Sequence, residues 1–397
     1  MYDKIFGLQR NVFFLGLTSF FNDLSSEMVL SVLPAFFISV LRSGAGALGV
    51  VEGVADAAAN LIKIYSGQRS DKMARRKIFA VLGYTVSVCT RPFYMFAGSV
   101  IDVAALRVTD RVGKGFRDAP RDALISLSAP NEELGWSFGY HRAMDTMGGV
   151  VGPLIAYLIL LNFPGAFTSV FMVSFVIGLL SIGSLLWVKD VTALVSKGGF
   201  IPKRSHMPKR LRQFIISIFI LSMGTLPVAI LLFKTQELNF AIATIPLFYM
   251  IYNISFALFS WPAGRFADMV GGGRVIVVGY LFLIICYTFL TASTNIGSLV
   301  FGFIILGLFS ACTDGVERTY VSFFVSAEHR GAAYGYLNAA VGFGALIAGV
   351  MGGYIWQTWG SAAAITIAVT ITLFGLSLFM HTLHRHHREA RGVSKTS

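Results

Sequence analysis

Acidic side chains occur at helical spacing inside apolar stretches of this chain, where charge is rare. Asp23 and Glu27 are four residues apart in the first apolar stretch, so they share one face of a helix. Two carboxylates this close repel each other, which favours the binding of a proton by one of them. We predict that this pair carries a transported proton. The alternative is that each carboxylate forms a salt bridge with a basic residue of another helix.

A second polar stripe runs along the fourth apolar stretch. Its charged residues recur every three or four positions, so on a helix they form one face. That face must look into a bundle of helices or toward a watery entrance, because charge facing lipid is costly. Members from Arg117 onward are expected at the membrane surface. The stripe contains Arg107, Asp110, Arg111, Lys114, Arg117, Asp118, Arg121 and Asp122.

The fifth apolar stretch adds a histidine to this set. His141 and Asp145 are again four residues apart, with Arg142 between them. An unperturbed imidazole titrates near neutral pH, so His141 and Asp145 are candidates for a proton relay. The alternative is a histidine that is hydrogen-bonded for structural reasons. Glu52 and Asp56 share one face of the second stretch and extend the charged network of the first half.

The composition indicates which elements must hold these side chains. Charged residues make up 13% of the 397 residues and hydrophobic residues 55%, whereas soluble domains carry about 25% charged residues. Such a composition argues against a soluble enzyme or a DNA-binding protein, even with a net charge of +12. Apolar stretches of about 20 residues are long enough to cross a membrane as helices. Twelve spans are predicted, at residues 12–40, 46–66, 78–100, 101–127, 135–161, 166–188, 213–233, 240–262, 274–294, 297–325, 332–357 and 361–383.

The basic residues are distributed unevenly between alternate connections. Lys and Arg concentrate in residues 69–77, in residues 189–212 and in the C-terminal tail, all on the side of the N-terminus. On the other side only Arg42 and Lys234 stand out. Positive charge in short loops marks the cytoplasmic side of a membrane protein. We therefore predict a multi-pass protein of a prokaryotic cytoplasmic (inner) membrane with both termini in the cytoplasm.

A weak internal repeat divides the chain near its middle. Residues 67–71 match residues 264–268 at a shift of 197, and residues 135–140 match residues 331–336 at a shift of 196. Transporters are often built from duplicated helix bundles. We predict an all-α polytopic fold with twelve transmembrane helices in two pseudo-symmetric six-helix bundles. The predicted segments are an N-terminal bundle (1–188), a basic cytoplasmic linker (189–212), a C-terminal bundle (213–383) and a basic cytoplasmic tail (384–397).

Three short stretches of the first half resemble motifs of the major facilitator superfamily (MFS). Residues 67–77 resemble the signature between its second and third helices, and a weaker copy follows in the second half. Residues 111–115 are similar to its arginine-bearing motif, and the resemblance implies a role of Arg111 in proton coupling. Gly148, Gly152 and Pro153 resemble a motif of its antiporters that allows the fifth helix to pack closely and to bend. The resemblance implies a cytoplasmic gate at Gly67, Asp71, Arg75, Gly264 and Asp268.

The two halves differ in their supply of charge. The first half is rich in ionisable residues, whereas aromatic side chains are expected to shape an apolar wall in the second. Aromatic residues at helical spacing also pack for structural reasons, and that alternative stays open. The predicted substrate cavity contains Glu52, Asp56, Arg107, Lys114, Arg142, Tyr252, Trp261, Asp314, Glu317 and Arg318.

These features together predict a proton-coupled secondary active transporter that moves a small organic solute by alternating access. Export of an amphiphilic compound is preferred, and the alternatives are transport of an anionic siderophore or carboxylate and a membrane receptor that does not transport. The sequence contains no phosphate-binding glycine loop and no hydrolase motif, so we expect no enzyme, no cofactor and no resident metal. The expected partners are protons, a small-molecule substrate and membrane lipid, with no nucleic acid, and we expect a monomer.

Overall fold

A computed structural model describes residues 4–73, 76–130, 133–191, 208–325 and 330–393 of the chain. Of residues 64, 67–73, 330–332 and 384–393 it describes the backbone alone. A two-stranded hairpin of β1 (Lys4–Ile5) and β2 (Leu8–Gln9) precedes a series of helices. The helices are α1 (Arg10–Ser39), α2 (Ala45–Met73), α3 (Arg76–Thr90), α4 (Val100–Ser128), α5 (Leu134–Asn162), α6 (Phe167–Leu186), α7 (Lys209–Met223), α8 (Val228–Leu231), α9 (Lys234–Glu237), α10 (Ile245–Val270), α11 (Gly272–Ala292), α12 (Ile296–Ser322) and α13 (Arg330–Val393).

Twelve crossings of a membrane follow from these helices, which confirms the predicted all-α architecture. Nine helical segments of the described chain are long and apolar enough to span, and one of them covers two crossings. That segment is α13, which Gly360 divides with a φ of 87°. Helix α3 is short and continues as the 3-10 helix Arg91–Phe96, which has a proline in its first turn. Helix α4 is long enough to cross a membrane, but it is not among the nine apolar segments because it carries the charged stripe.

Several helix ends differ from the predicted spans. Helix α2 continues to Met73 instead of ending at residue 66, and α7 begins at Lys209 instead of residue 213. Helix α10 covers Ile245–Val270 instead of residues 240–262. The prediction followed hydropathy, and a helix keeps its backbone hydrogen bonds into the polar surface where hydropathy falls.

The helices form two halves that meet mainly along two pairs of helices. Helices α1–α6 pack mainly on one another, as do α7–α13, whereas α2 contacts α13 and α5 contacts α10 across the middle. The face of the bundle at which α1 begins is called the N-face here. At the opposite face the Gly46 N–H donates to Gln357 Oε1 (3.2 Å), and a Cβ on Gly49 would collide with the Gly349 carbonyl. The backbones of the two halves are therefore in contact at the opposite face.

Candidate functional site

Two acidic side chains of the first half are in contact between α1 and α5. The carboxyl groups of Asp23 and Asp145 lie within hydrogen-bonding reach of each other. Ser19 Oγ donates to Asp145 Oδ1 (2.6 Å), and Asn22 Nδ2 donates to Asp23 Oδ1 (3.0 Å). A carboxylate can only accept hydrogen bonds, so a hydrogen bond between these two groups would need a proton on one of them. The pair can hold one proton and release it when the two groups separate.

Glycines on α5 bring this pair together. A Cβ on Gly148 would lie 2.6 Å from the Phe20 carbonyl, and one on Gly152 would collide with the Leu24 carbonyl. The backbone of α5 therefore lies directly against α1 over the two turns that follow Asp145. Pro153 lies inside α5 beside the second of these glycines. The predicted helix-bending motif thus lies at the α1–α5 contact, and bending itself stays a prediction.

Basic residues of α4 surround the carboxyl pair. Arg117 Nη2 is 4.0 Å from Asp23 Oδ1, and the same guanidinium donates to Ser87 Oγ (2.8 Å) and stacks on the Tyr84 ring. Lys114 interacts electrostatically with Asp23 and with Glu27. It forms no ion pair within 4.0 Å with a described residue. Positive charge close to the pair favours its ionised form once the proton leaves.

Glu27 lies at the boundary between the halves. Its carboxyl group lies beside the Tyr249 hydroxyl of α10, in the second half. Its Oε2 atom is buried and has no hydrogen-bond partner among the described residues. Asp23 and Glu27 therefore share one helix, but they have different partners. Asp23 contacts α5 of its own half, whereas Glu27 contacts the other half.

A buried network of ion pairs joins α2 to α4. Arg107 Nε and Nη2 donate to the two carboxylate oxygens of Glu52, each at 2.7 Å. Arg107 Nη1 also donates to Asp110 Oδ2 at 3.2 Å. Arg111 Nε is 3.2 Å from Asp56 Oδ1. Since the Arg107 and Glu52 side chains are 3% and 4% exposed, the structure places them in an ion pair and not on the wall of a cavity.

A cavity of 340 Å³ opens near the N-face between α5, α10 and α12. Arg142 Nη2 of the first half donates to Asp314 Oδ2 of the second (3.2 Å). Arg318 Nη2 lies 3.6 Å from the other oxygen of Asp314. An ion pair therefore links the two halves beside the cavity. Its wall includes Arg142, Phe256, Gly264, Asp268, Asp314 and Arg318.

Three other predicted cavity residues lie off this wall. The Tyr252 hydroxyl is hydrogen-bonded to Ser310 Oγ (3.1 Å). Trp261 is 69% exposed, and the Arg265 guanidinium stacks on its ring. Glu317 is buried and accepts a hydrogen bond from the Tyr280 hydroxyl (3.2 Å). These contacts are packing and hydrogen-bonding contacts within the second half.

The remaining predicted residues have diverse settings. His141 is buried, and its Nε2 has no hydrogen-bond partner among the described residues. Gly264 and Asp268 line the N-face cavity. Arg75 and the side chain of Asp71 lie outside the described residues, and only the backbone of Gly67 is described. The gate predicted for the first half therefore stays a prediction.

Sequence reasoning missed the contact between Asp23 and Asp145. It paired Asp145 with His141, which lies on the same helix, and had no means of choosing a partner from another helix. A signal was nevertheless present, because Gly148 and Gly152 follow Asp145 by three and seven residues and share its helix face. Small residues on the face of an acidic side chain indicate that another helix approaches there.

The comparisons with known proteins agree with this architecture. The sequence profile of the Major Facilitator Superfamily matches residues 15–214 and 213–397. The chain is 33% identical to an uncharacterized MFS-type transporter of Methanocaldococcus jannaschii over 88% of this chain and 89% of the other. It is 23% identical to a multi-drug resistance efflux pump PmrA homolog of Lactococcus lactis, over 95% and 94% of the two chains.

Solved structures share the fold. A crystal structure of a variant of the nucleoside transporter NupG superposes with a TM-score of 0.79 at 15% identity, covering 94% of this chain and 99% of the other. Identity this low shows the fold alone. The two profile matches and the M. jannaschii relative cover most of the chain. The chain is a multi-pass membrane transporter that belongs to the major facilitator superfamily.

Proposed function

We propose that the protein is a proton-coupled transporter that exports an amphiphilic organic compound by alternating access. The carboxyl pair Asp23–Asp145 carries this proposal, because two adjacent carboxyl groups can share one proton, and a relative movement of α1 and α5 can release it. Glu27 serves as a second carboxyl at the boundary between the halves. Arg111 acts on the charge of Glu27, and His141 acts on the charge of Asp145.

The arrangement of the two faces supports alternating access. The halves touch at the opposite face through Gly46, Gly49 and Gly349, whereas the N-face has a cavity. A transporter that exposes its site to one side at a time needs one closed and one open end. We assign the N-face to the cytoplasm of a prokaryotic inner membrane, since the basic connections lie there. In this orientation residues 189–212 and 384–397 are a cytoplasmic linker and tail between and after the bundles 1–188 and 213–383.

Two observations support an amphiphilic compound as the exported substrate: the lining of the cavity and the name of one relative. Phe256 and neighbouring apolar residues form part of the wall, and the Arg142 guanidinium lies 5.5 Å from the Phe256 ring centre. The L. lactis relative is named as a multi-drug efflux pump homolog. A site that combines apolar wall with charge suits a compound that has both kinds of surface.

The test uses purified full-length protein in proteoliposomes with an imposed pH gradient. Ethidium serves as the amphiphilic probe, and a pH dye inside the vesicles reports proton movement. We expect ethidium to move in the direction opposite to the protons. The rate of ethidium transport should decrease when the imposed pH gradient is made smaller. Asp190→Asn, at an exposed acid that accepts from the Lys77 N–H, is the control. Ethidium flux that ignores the pH gradient would overturn proton coupling.

A second candidate substrate is an anionic siderophore or carboxylate. Arg142 and Arg318 on the cavity wall favour it, because two guanidinium groups there share Asp314. Carboxyfluorescein in the same vesicles tests this candidate against ethidium. Growth of a deletion strain under iron limitation and on a drug panel separates the two in cells. A receptor that does not transport would bind a probe in both assays and move none.

A further inference from the structure

A buried arginine lies next to the carboxyl pair and has no role in the mechanism proposed so far. Arg91 begins the 3-10 helix that continues α3, and its side chain is among the largest that are fully buried. No carboxylate of the described residues lies within 4.0 Å of its guanidinium. It donates through Nη2 to Asn22 Oδ1 (3.0 Å) and to the Asn22 carbonyl (3.3 Å). Burial of an unpaired guanidinium costs several kcal/mol, so ordinary packing does not explain it.

The neighbouring helix is shaped to admit this side chain. A Cβ on Gly178 of α6 would collide with Arg91 Nη1. That nitrogen has no hydrogen-bond partner among the described residues. The guanidinium is therefore held by Asn22 on one side and by close backbone approach on the other.

Arg91 determines the orientation of the Asn22 amide. A guanidinium can only donate hydrogen bonds, so the amide oxygen of Asn22 must face it. The amide nitrogen then points away from Arg91 and donates to Asp23 Oδ1 at 3.0 Å. Reversal of the amide would place two donors against each other and would remove the donor from Asp23. A chain of bonds thus leads from Arg91 through Asn22 to the carboxyl pair.

We infer that Arg91 is a positioning residue that sets the proton affinity of the Asp23–Asp145 pair through Asn22. The inference rests on the proposed role of this pair in proton coupling. With Asn22 fixed, one oxygen of Asp23 keeps a donor while the other is free to share a proton with Asp145. Other charged groups also act on the pair. Lys114 and Arg117 of α4 act on Asp23. The groups that act on Asp145 are Arg121 of α4 and His141 and Arg142 of α5. Arg91 itself faces Asp110, Arg117, Asp23 and Tyr94.

Infrared spectroscopy of the full-length protein in nanodiscs tests this inference without a substrate. The C=O stretch of protonated carboxyl groups is followed from acid to alkaline pH, and Asp23→Asn assigns the band of the pair. We expect Asn22→Ala to move the midpoint of that band by about half to one pH unit toward higher pH, because a donor to the carboxylate is lost. Arg91→Met should move it in the same direction. Arg91→Lys, which keeps the charge and a donor, should restore part of the shift.

The double variant distinguishes positioning from general damage. If Arg91 acts through Asn22, the Asn22→Ala/Arg91→Met double variant shifts the midpoint no more than the larger single variant. Ser31→Ala removes a buried hydroxyl of α1 that bonds only to the Met28 carbonyl, and it should leave the midpoint unchanged. Unchanged midpoints in Asn22→Ala, or additive shifts in the double variant, would overturn the inference. If Arg91→Met does not fold, Asn22→Ala and Arg91→Lys still test whether the bonds from Arg91 through Asn22 set the midpoint.

The same spectra separate this inference from the proposed function. If no titrating band changes in Asp23→Asn, then Asp23 holds no exchangeable proton, and the proposed proton coupling fails. If the band does change in Asp23→Asn but its midpoint is the same in Asn22→Ala and Arg91→Met as in the wild type, only the positioning role is overturned.

Discussion

Charged side chains in this membrane protein fall into two kinds according to their partners. The Glu52–Arg107 pair makes two hydrogen bonds of 2.7 Å and is almost completely buried. Asp23 and Asp145 instead lie beside each other, and their arginine contacts are longer, 4.0 Å from Asp23 to Arg117 and 3.7 Å from Asp145 to Arg142. Glu27 lies beside the Tyr249 hydroxyl. Sequence spacing predicted that both kinds would lie inside the bundle, because lipid excludes charge. It did not separate them, since a residue's partner on another helix depends on how the helices pack.

The buried pair yields a prediction about stability. Glu52→Gln should lower the free energy of unfolding by about 3 kcal/mol, because Arg107 is left buried with Asp110 as its one anionic partner among the described residues. Adding Arg107→Gln should recover part of this loss. Asp122→Asn should change the free energy by no more than about 0.5 kcal/mol, because the Asp122 carboxylate is half exposed in its 3.0 Å pair with Arg121, which keeps Asp118 at 3.9 Å. Denaturation with sodium dodecyl sulfate measures all three, and equal losses in Glu52→Gln and Asp122→Asn would contradict the distinction.

Helix packing explains how far the sequence could predict the elements. The twelve crossings were predicted from hydropathy, and the break between residues 357 and 361 coincides with Gly360, whose positive φ only glycine adopts readily. The break of α3 into a 3-10 helix was not predicted, although Pro92 lies at its start. The pairing of α2 with α13 was also not predicted, because glycines mark a close approach without naming the partner.

The contact between α2 and α13 yields a prediction about conformation. Gly49→Ala should open the opposite face, because the new Cβ would collide with the backbone carbonyl of Gly349, which has no side chain to move aside. Spin labels at Arg42→Cys and Thr358→Cys, introduced after the native cysteines are replaced, report the distance between the halves there. We expect this distance to increase. Gly183→Ala is the control, since its added Cβ would meet no described residue beyond its own helical turn within 4 Å.

If the spin-label distance is the same in Gly49→Ala and in Gly183→Ala, then the glycine contact does not hold the opposite face closed. A longer distance in both variants would mean that the labelled protein is generally loosened. Only an increase confined to Gly49→Ala supports the contact as a closing element.

At the scale of the whole molecule the two halves are joined at different depths by different chemistry. Glycine backbones meet at the opposite face, Glu27 and Tyr249 meet across the boundary, and Arg142 and Asp314 form an ion pair near the N-face. Both ion-pair residues are about half exposed, so water screens their attraction. The N-face contact is therefore weaker than the opposite one, which fits a molecule that opens first at the N-face.

This difference predicts how charge reversal acts. Arg142→Asp should widen the N-face, because two acids then face each other, and adding Asp314→Arg should restore the wild-type distance. Labels at Gly135→Cys and Phe323→Cys, both at exposed positions of the N-face, measure the separation. Failure of the double reversal to restore the distance would contradict the role of this ion pair in holding the halves together.

Separating exchange from accumulation tests the central claim most directly. Ethidium exchange without a gradient needs alternating access alone, whereas accumulation against its gradient also needs the proton. The account predicts that Asp23→Asn and Asp145→Asn keep exchange near the wild-type rate but reduce pH-driven accumulation by roughly tenfold or more. Accumulation at the wild-type level in both variants would contradict it.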